Sequence, residues 1–305
     1  MQMMIAQGAP FFVLGNPRSG TTLLRLALTA HPALVVPPEA GFICWLHNQF
    51  GAWRGEQWAN IELVRRFVDH VAGTRKFSTW NIGAAELMPY LATRKPATYS
   101  DACSAIYEAY VLKTKPGASR WGDKNNYYTG HVDLLAKLYP LAQFIHIVRD
   151  PRDVACSYRD TAALDRSNPF RPDLPTNATM IAVDWNANVT NVRHGFSRID
   201  PDRCYTLRYE DLVTDPRRQL AALCAWLNVP FTIDMLAFWR INRDTELEPK
   251  AMLEWKKKTL EPITASQVCR FRSELQEQDQ RAIEAVAAIM MVTYGYLPLQ
   301  SYARA

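Results

Sequence analysis

The sequence predicts an α/β fold: a parallel β-sheet flanked by helices, with a helical insertion. Three observations carry this expectation. A short apolar run, FFVLG (residues 11–15), ends in glycine and leads into a loop, a helical stretch and a second apolar run. Further apolar runs downstream alternate with helical patterns, the arrangement of parallel strands joined by helical crossovers. Between the two sets, residues 41–118 lose their strand signals and carry helical ones.

Composition sets the bounds. The chain has 305 residues, 48% hydrophobic and 21% charged, enough for a sizeable core, and is read as a single domain over residues 1–305. A formal net charge of +5 is too small to argue for nucleic acid and suits an anionic ligand. The six cysteines, Cys44, Cys103, Cys156, Cys204, Cys224 and Cys269, form no CxxC pair and sit at no metal-ligand spacing, so reduced, buried thiols and no metal are expected. No apolar run reaches the roughly 18 residues of a membrane span. MQMMIAQGAP has neither a basic start nor a long apolar core, so no leader is expected and the compartment reads as cytoplasmic. The oligomeric state stays open.

Each element follows from its residues. FFVLG reads as a buried strand. Thr21 to Ala30 is rich in leucine and alanine without Gly or Pro, a helix ended at His31-Pro32 because the residue before proline leaves the helical region. ALVV is the next strand, stopped by Pro37-Pro38, and completes a βαβ opening. FICWLHNQF, IELVRRFVDHV, AAELMPYLA and DACSAIYEAYVLK read as helices of the insertion, with a kink or boundary at Pro89. They are expected either to cover the site as a lid or to pack as ordinary core. HVDLLAKLYP is amphipathic, QFIHIV is a strand, and the helix after it has Pro151 at its first position. A long helix from Asn177, a strand CYTLRY and a helix capped by Asp215 follow. A polar, basic tract (242–264) then precedes a last helix from about Ser273 to Met291.

Two stretches carry chemistry. Gly15-Asn-Pro-Arg-Ser-Gly20-Thr21-Thr22 keeps the spacing of a phosphate loop, except that Thr21 stands where a nucleotide-hydrolysing loop has lysine. The glycines, the convergent N–H groups and the positive helix end survive, and the cation is now Arg18. Without the lysine, γ-phosphoryl transfer is disfavoured and a smaller anion suits the loop. In FIHIVRDPRDVACSYRD, Arg149 follows a strand and Ser157 lies eight residues on, so both can converge on one phosphate. A salt bridge from Arg149 to Asp150 or Asp153 is the alternative.

Together these residues resemble the sulfotransferases. PRSGTTLL looks like their 5′-phosphosulfate loop and IVRDPRDVACSY like their 3′-phosphate motif. LTAHPALVVPPEAGFI, WGDKNNYYTGHVDLLAKLYPLAQFIHIVRD and YTLRYEDLVTDPRRQLAALCAWLNVP are similar to stretches of tyrosylprotein and bacterial sulfotransferases. The resemblance implies a P-loop-type fold with the insertion over the active site. It also implies sulfuryl transfer from 3′-phosphoadenosine 5′-phosphosulfate (PAPS), releasing adenosine 3′,5′-bisphosphate (PAP), to a hydroxyl or amine. The acceptor class is open among small molecules, lipids, carbohydrates and peptides. The aromatics of the insertion (Phe42, Trp45, Trp53, Trp80, Tyr90, Tyr107) either line an apolar acceptor site or belong to the core.

On this resemblance, Pro17, Arg18, Ser19, Gly20, Thr21 and Thr22 hold the 5′-phosphosulfate, Arg149 and Ser157 the 3′-phosphate, and Tyr209 the nucleotide. WKKKT (255–259) closes over the 3′-phosphate; Lys257 represents it, although which of its three lysines points inward is open. Catalysis falls to Glu39 as general base, with Lys124 and Arg18 stabilising the transferring group. Glu39 follows the second strand, where ligand crevices form at the carboxyl ends of parallel strands. A helix-start carboxylate is its alternative, a lysine paired with Asp123 that of Lys124, a core tyrosine that of Tyr209, and a solvated charge run that of the WKKKT tract. Small-molecule cytosolic sulfotransferases place a histidine two residues after their lysine; here that position is Asn126, and His131 is the nearest substitute. Rival readings are a P-loop small-molecule kinase and a catalytically dead nucleotide-binding regulatory protein.

Overall fold

The structure, a computed structural model, describes residues 8–164 and 167–297. The expectation for the N-terminal stretch therefore falls largely on residues outside the described ones. Five parallel strands form one sheet in the order β2-β3-β1-β4-β5: β1 Phe11–Leu14, β2 Leu34–Val35, β3 Arg120–Lys124, β4 Gln143–Val148 and β5 Cys204–Arg208. The helices are α1 Thr21–Ala30, then α2 Phe42–Trp45, α3 His47–Phe50, α4 Ile61–Ala72, α5 Ala84–Arg94 and α6 Tyr99–Thr114 within the insertion, and α7 Val132–Leu138. After β4 come α8 Pro151–Ala162 and α9 Ala178–Phe196. After β5 come α10 Tyr209–Thr214, α11 Pro216–Trp226, α12 Phe238–Thr245, α13 Phe271–Glu274 and α14 Glu277–Thr293.

β1 is the middle strand and is covered on both faces, which is why it reads as an unbroken apolar run. Its side chains alternate: Phe12 and Leu14 join the cluster built with the insertion and α7, while Phe11 and Val13 join α1, α11 and α12. A third cluster beside Val148 packs α8, α9, α13 and α14 together. The expected caps hold. Asn177 accepts from the Met180 N–H, Asp215 from that of Arg218, and Pro151 opens α8.

Several elements differ from the sequence expectation. β2 does not pair with β1, because β3 lies between them. β3 itself, RWGDK, hid behind its charges. All five residues are buried, and each charge has a partner: Arg120 donates to the carbonyls of Ala9 and Leu227 and to Gln143, Asp123 accepts from Tyr107, and Lys124 pairs with Glu39. The first insertion helix divides at Leu46, α5 runs through Pro89, and the last helix divides at the extended Leu275. Tyr209 opens α10 rather than closing β5.

Among the insertion's aromatics, Phe42, Trp53, Trp80 and Tyr107 are buried in the shared core, and Tyr107 stacks on Trp121 of β3 with centroids 4.1 Å apart. Trp45 is exposed, and half-buried Tyr90 donates to Glu108. All six cysteines are free; four are buried, Cys204 is half-buried, and Cys269 is exposed against the expectation. No helix among the described residues is long and apolar enough to cross a membrane.

Candidate active site

The carboxyl edge of the sheet carries most of the candidate residues: the loop after β1, Glu39 after β2, Lys124 at the end of β3, Arg149 after β4 and Tyr209 after β5, with Ser157 inside α8 and Lys257 in the C-terminal tract. The loop after β1 curls because Arg18 and Gly20 take left-handed backbone conformations, φ 66° and 89°. Gly20 is required here: a Cβ would stand 2.5 Å from the Tyr209 ring, on a backbone that already disfavours side chains. Gly20 also caps α1 without a side-chain oxygen, and α1 has no acidic residue in its first turn, which leaves the positive helix end to a bound anion.

Arg18 and Arg149 come together. Arg18 Nε donates to Ser157 Oγ (3.0 Å), and Arg149 donates to the carbonyls of Arg18 (3.0 Å) and Gln267 (2.6 Å) while lying 4.6 Å over the Tyr209 ring. The alternative salt bridge of Arg149 is not formed. Asp150 pairs with Arg152 at 2.7 Å, and Asp153 accepts from the amides of Cys269 and Phe271. Among the described residues Arg149 has no carboxylate at ion-pair distance. Burial, then the neighbouring Arg149 guanidinium, lowers the Arg18 pKa to about 10. Among the described residues, Ser19 Oγ and Arg149 Nε are buried without a hydrogen-bond partner. Adjacent guanidiniums and orphaned donors around a helix N-terminus are the parts from which an anion site can be built.

The second part lies beside β3. Lys124 is buried and its Nζ meets Glu39 Oε1; Lys76 Nζ stands 2.5 Å from Glu39 Oε2. Asp123 points to the other face of the strand, toward the Tyr107 hydroxyl (2.6 Å), so Lys124 is neither solvated nor paired with Asp123. Burial pushes the Glu39 carboxyl up, but Lys124, Lys76 and Lys256 outweigh it and hold it well below the usual carboxylate range. Burial lowers Lys124 to about 8, with Lys256 acting in the same sense against the pull of Glu39.

Both parts face one cavity of about 440 Å³, which also takes in Lys256, Lys257, Lys258 and Asn126. Of the expected residues, Pro17, Arg18, Gly20, Thr21, Thr22, Glu39, Lys124, Arg149, Ser157, Tyr209 and Lys257 line it, and Ser19 lies buried within the loop. His131 does not line it and stacks on Tyr127 at 4.3 Å. Lys256 turns inward to Glu248 (2.5 Å), whose other oxygen takes Arg25 of α1 (2.6 Å). Lys257 is exposed. Burial and Arg270 depress the Lys258 pKa, and its charged surroundings include Asp160 and Arg149.

Sequence reasoning missed Lys76, gave no site role to Asn126, which accepts from Thr21 Oγ1 at 3.3 Å, and named Lys256 only as one of three lysines whose direction was open. Lys256 had a signal in WKKKT, and Asn126 in its place two after Lys124. Lys76 had none, because a turn far from the motifs delivers it. No group of His, Cys, Asp or Glu among the described residues is arranged to hold a metal.

Comparison with known proteins agrees with this architecture. A family model described as "Sulfotransferase family" matches residues 10–233. A putative protein-tyrosine sulfotransferase of Caenorhabditis briggsae is 26% identical over 229 residues, 74% of this chain and 67% of the relative. The aligned parts span about half to two thirds of the three nematode relatives. The sulfotransferase domain of the Synechococcus PCC 7002 olefin synthase superposes with a TM-score of 0.56 at 23% identity, covering 94% of this chain and 98% of that one. Mouse sulfotransferase SULT7A1 complexed with PAP superposes at 0.50 with 15% identity, covering 98% and 90%. The shared fold is the P-loop-type α/β sheet, and a family model that takes in the loop, Glu39, Lys124 and Arg149 together places the chain in the sulfotransferase family.

Proposed function

We propose that this sulfotransferase takes its sulfuryl group from PAPS and delivers it in line to an acceptor hydroxyl or amine. The observation that carries the reading is the meeting, in one cavity, of the paired Arg18 and Arg149 guanidiniums with the Glu39–Lys124 pair. The residues fit the donor. Ser19 Oγ and Arg149 Nε are orphaned donors, and Gly20 lets the loop lie against the Tyr209 ring, where a Cβ would clash. The donor supplies an activated sulfuryl group on a phosphate leaving group. Pro17 to Thr22 and the start of α1 hold its 5′ end. Arg149 and Ser157 hold the 3′-phosphate, Tyr209 the nucleotide, and Lys257 or its neighbour Lys258 closes the far side.

Glu39 takes the acceptor proton. Lys124 and Arg18 hold charge as it builds on the departing oxygen, so catalysis is positioning plus electrostatics. No metal is invoked. The complex of the mouse neighbour with PAP supports the donor class, and the nematode relative's name supports a peptide hydroxyl among the acceptors alongside small molecules, lipids and carbohydrates. A kinase reading lacks the loop lysine. A cytoplasmic site of action remains part of the proposal, to be tested by cell fractionation.

The test is incubation with PAPS carrying labelled sulfur against pooled acceptors. Label transferred to a hydroxyl- or amine-bearing pool, with PAP released, is the expected result. PAP binding without transfer to any pool favours the dead regulatory protein, and failure to bind PAP at all removes the donor assignment.

A further inference from the structure

Glu39 is held by two lysines from different parts of the chain, one on each oxygen. Lys124 comes from the end of β3; Lys76 comes from a turn of the helical insertion. That turn is built to deliver it. Lys76 sits at φ 73°, in the left-handed region that favours glycine, with Thr79 Oγ1 donating to its carbonyl at 2.7 Å. Four residues on, Trp80 Nε1 donates to the carbonyl of Pro38 at 2.8 Å, immediately before Glu39. Arg75 fastens the same turn to the carbonyl of Pro169 at 2.7 Å. The turn and the Pro38-Glu39 segment are therefore one unit, joined by the Trp80 hydrogen bond to the Pro38 carbonyl and by the Lys76–Glu39 ion pair.

The two lysines have different prospects once the donor enters. Lys76, Lys124 and Lys256 all line the cavity, but Lys124 and Lys256 oppose one another, so an anion between them draws Lys124 from Glu39, while Lys76 is fixed by its own turn. A carboxylate left by its only partner would be free to turn. We propose that Lys76 is the positioning residue of Glu39: it keeps Oε2 in place while Lys124 turns to the donor, leaving Oε1 to take the acceptor proton. The proposal rests on the reading of Glu39 as base. In the step it serves, the acceptor O–H gives its proton to Glu39 as the new O–S bond forms. The bond from sulfur to the phosphate oxygen breaks, and its electron pair leaves with PAP. The charged groups facing Glu39 are Lys76 on the insertion, Lys124 on β3 and Lys256 on the C-terminal tract, with the Asp123 charge felt from the opposite face of β3.

The test needs no acceptor at first. Protein labelled with ¹³C at glutamate carboxyls is titrated by NMR, with and without PAP, and the Glu39 signal is assigned by its loss in Glu39→Gln. Lys76→Met should raise the Glu39 midpoint by about 1–2 pH units, the loss of one charge-assisted hydrogen bond. Lys76→Gln should do the same, in case the methionine variant does not fold. Lys76→Arg should restore the parental midpoint. Lys76 lines the cavity, so Lys76→Met and Lys76→Gln should weaken PAP modestly by calorimetry, and Lys76→Arg should not.

An unmoved midpoint in Lys76→Met and Lys76→Gln overturns the proposal. Turnover with labelled donor separates the two readings. Glu39→Gln at parental speed overturns the base and with it the purpose of the clamp. A slow Glu39→Gln with an unmoved midpoint overturns the clamp alone.

Discussion

Glu39 between two ammonium groups is a weak base in the resting protein, and Lys124 beside it is a weakened cation. Burial costs both their charged forms, but the lysines outnumber the carboxylate: Glu39 is driven well down while Lys124 falls to about 8. Both charges are thus present at neutral pH, the state the proposed chemistry needs. Glu39→Gln keeps the shape and removes the proton acceptor, so kcat should fall by about 10²- to 10⁴-fold, the usual worth of general-base catalysis. PAP affinity should not fall, because the substitution removes a negative charge from an anion site. The defect should shrink with an acceptor that is already ionised, such as an acidic phenol; a parental kcat on a weakly acidic hydroxyl removes Glu39 from the role. Lys124 sets the other limb. Its cationic form is lost as pH rises through about 8, so kcat/KM on a non-ionising alcohol should decline above that pH. A profile flat to pH 10 would show that the Lys124 charge is not used.

At the scale of elements, legibility followed the match between composition and environment. β1, β4, the loop and α1 were plain in the sequence because apolar runs, glycines and a leucine-rich helix all say what they do. Arg149 and Ser157 were legible for the same reason, their spacing being set by a strand end and the helix after it. β3 was not. Three of its five residues are charged, and only tertiary partners such as Gln143, Tyr107 and Glu39 make their burial tolerable. Lys76 was invisible because its position depends on a left-handed turn and on Trp80 reaching Pro38, neither of which leaves a local pattern. Gly122 shows how tightly β3 is fitted. A Cβ there would stand 2.4 Å from the ring of Phe11, which is itself fully buried on β1. Gly122→Ala should therefore cost about 1–3 kcal/mol, as overpacking of a filled core does, read as a lower urea midpoint. An unchanged midpoint would mean that the Phe11 ring yields freely.

For the molecule as a whole, the sheet brings together residues spread from Pro17 to Gln267. The β1 loop, the end of β3, the turn into α8, the start of α10 and the tract around Lys256 all open onto one cavity. Arg25 of α1 joins that tract through Glu248, so the phosphate-loop helix and the C-terminal lysines are tied by a buried ion triad. A ligand that binds this folded arrangement and not the unfolded chain stabilises every part of it by mass action. PAP at about 100 times its dissociation constant should add about 2.7 kcal/mol. For a chain of this size, a kcal/mol moves Tm by roughly 2 °C, so Tm should rise by roughly 5 °C. The phosphates are expected to be held by Arg18, Arg149, Ser157, the loop amides and the C-terminal lysines, without a bridging metal ion. The same rise is therefore expected in EDTA, measured by scanning calorimetry at matched PAP. A rise abolished by EDTA and restored by Mg²⁺ would put a metal between the loop and the phosphates, and the arginine pair would no longer account for binding.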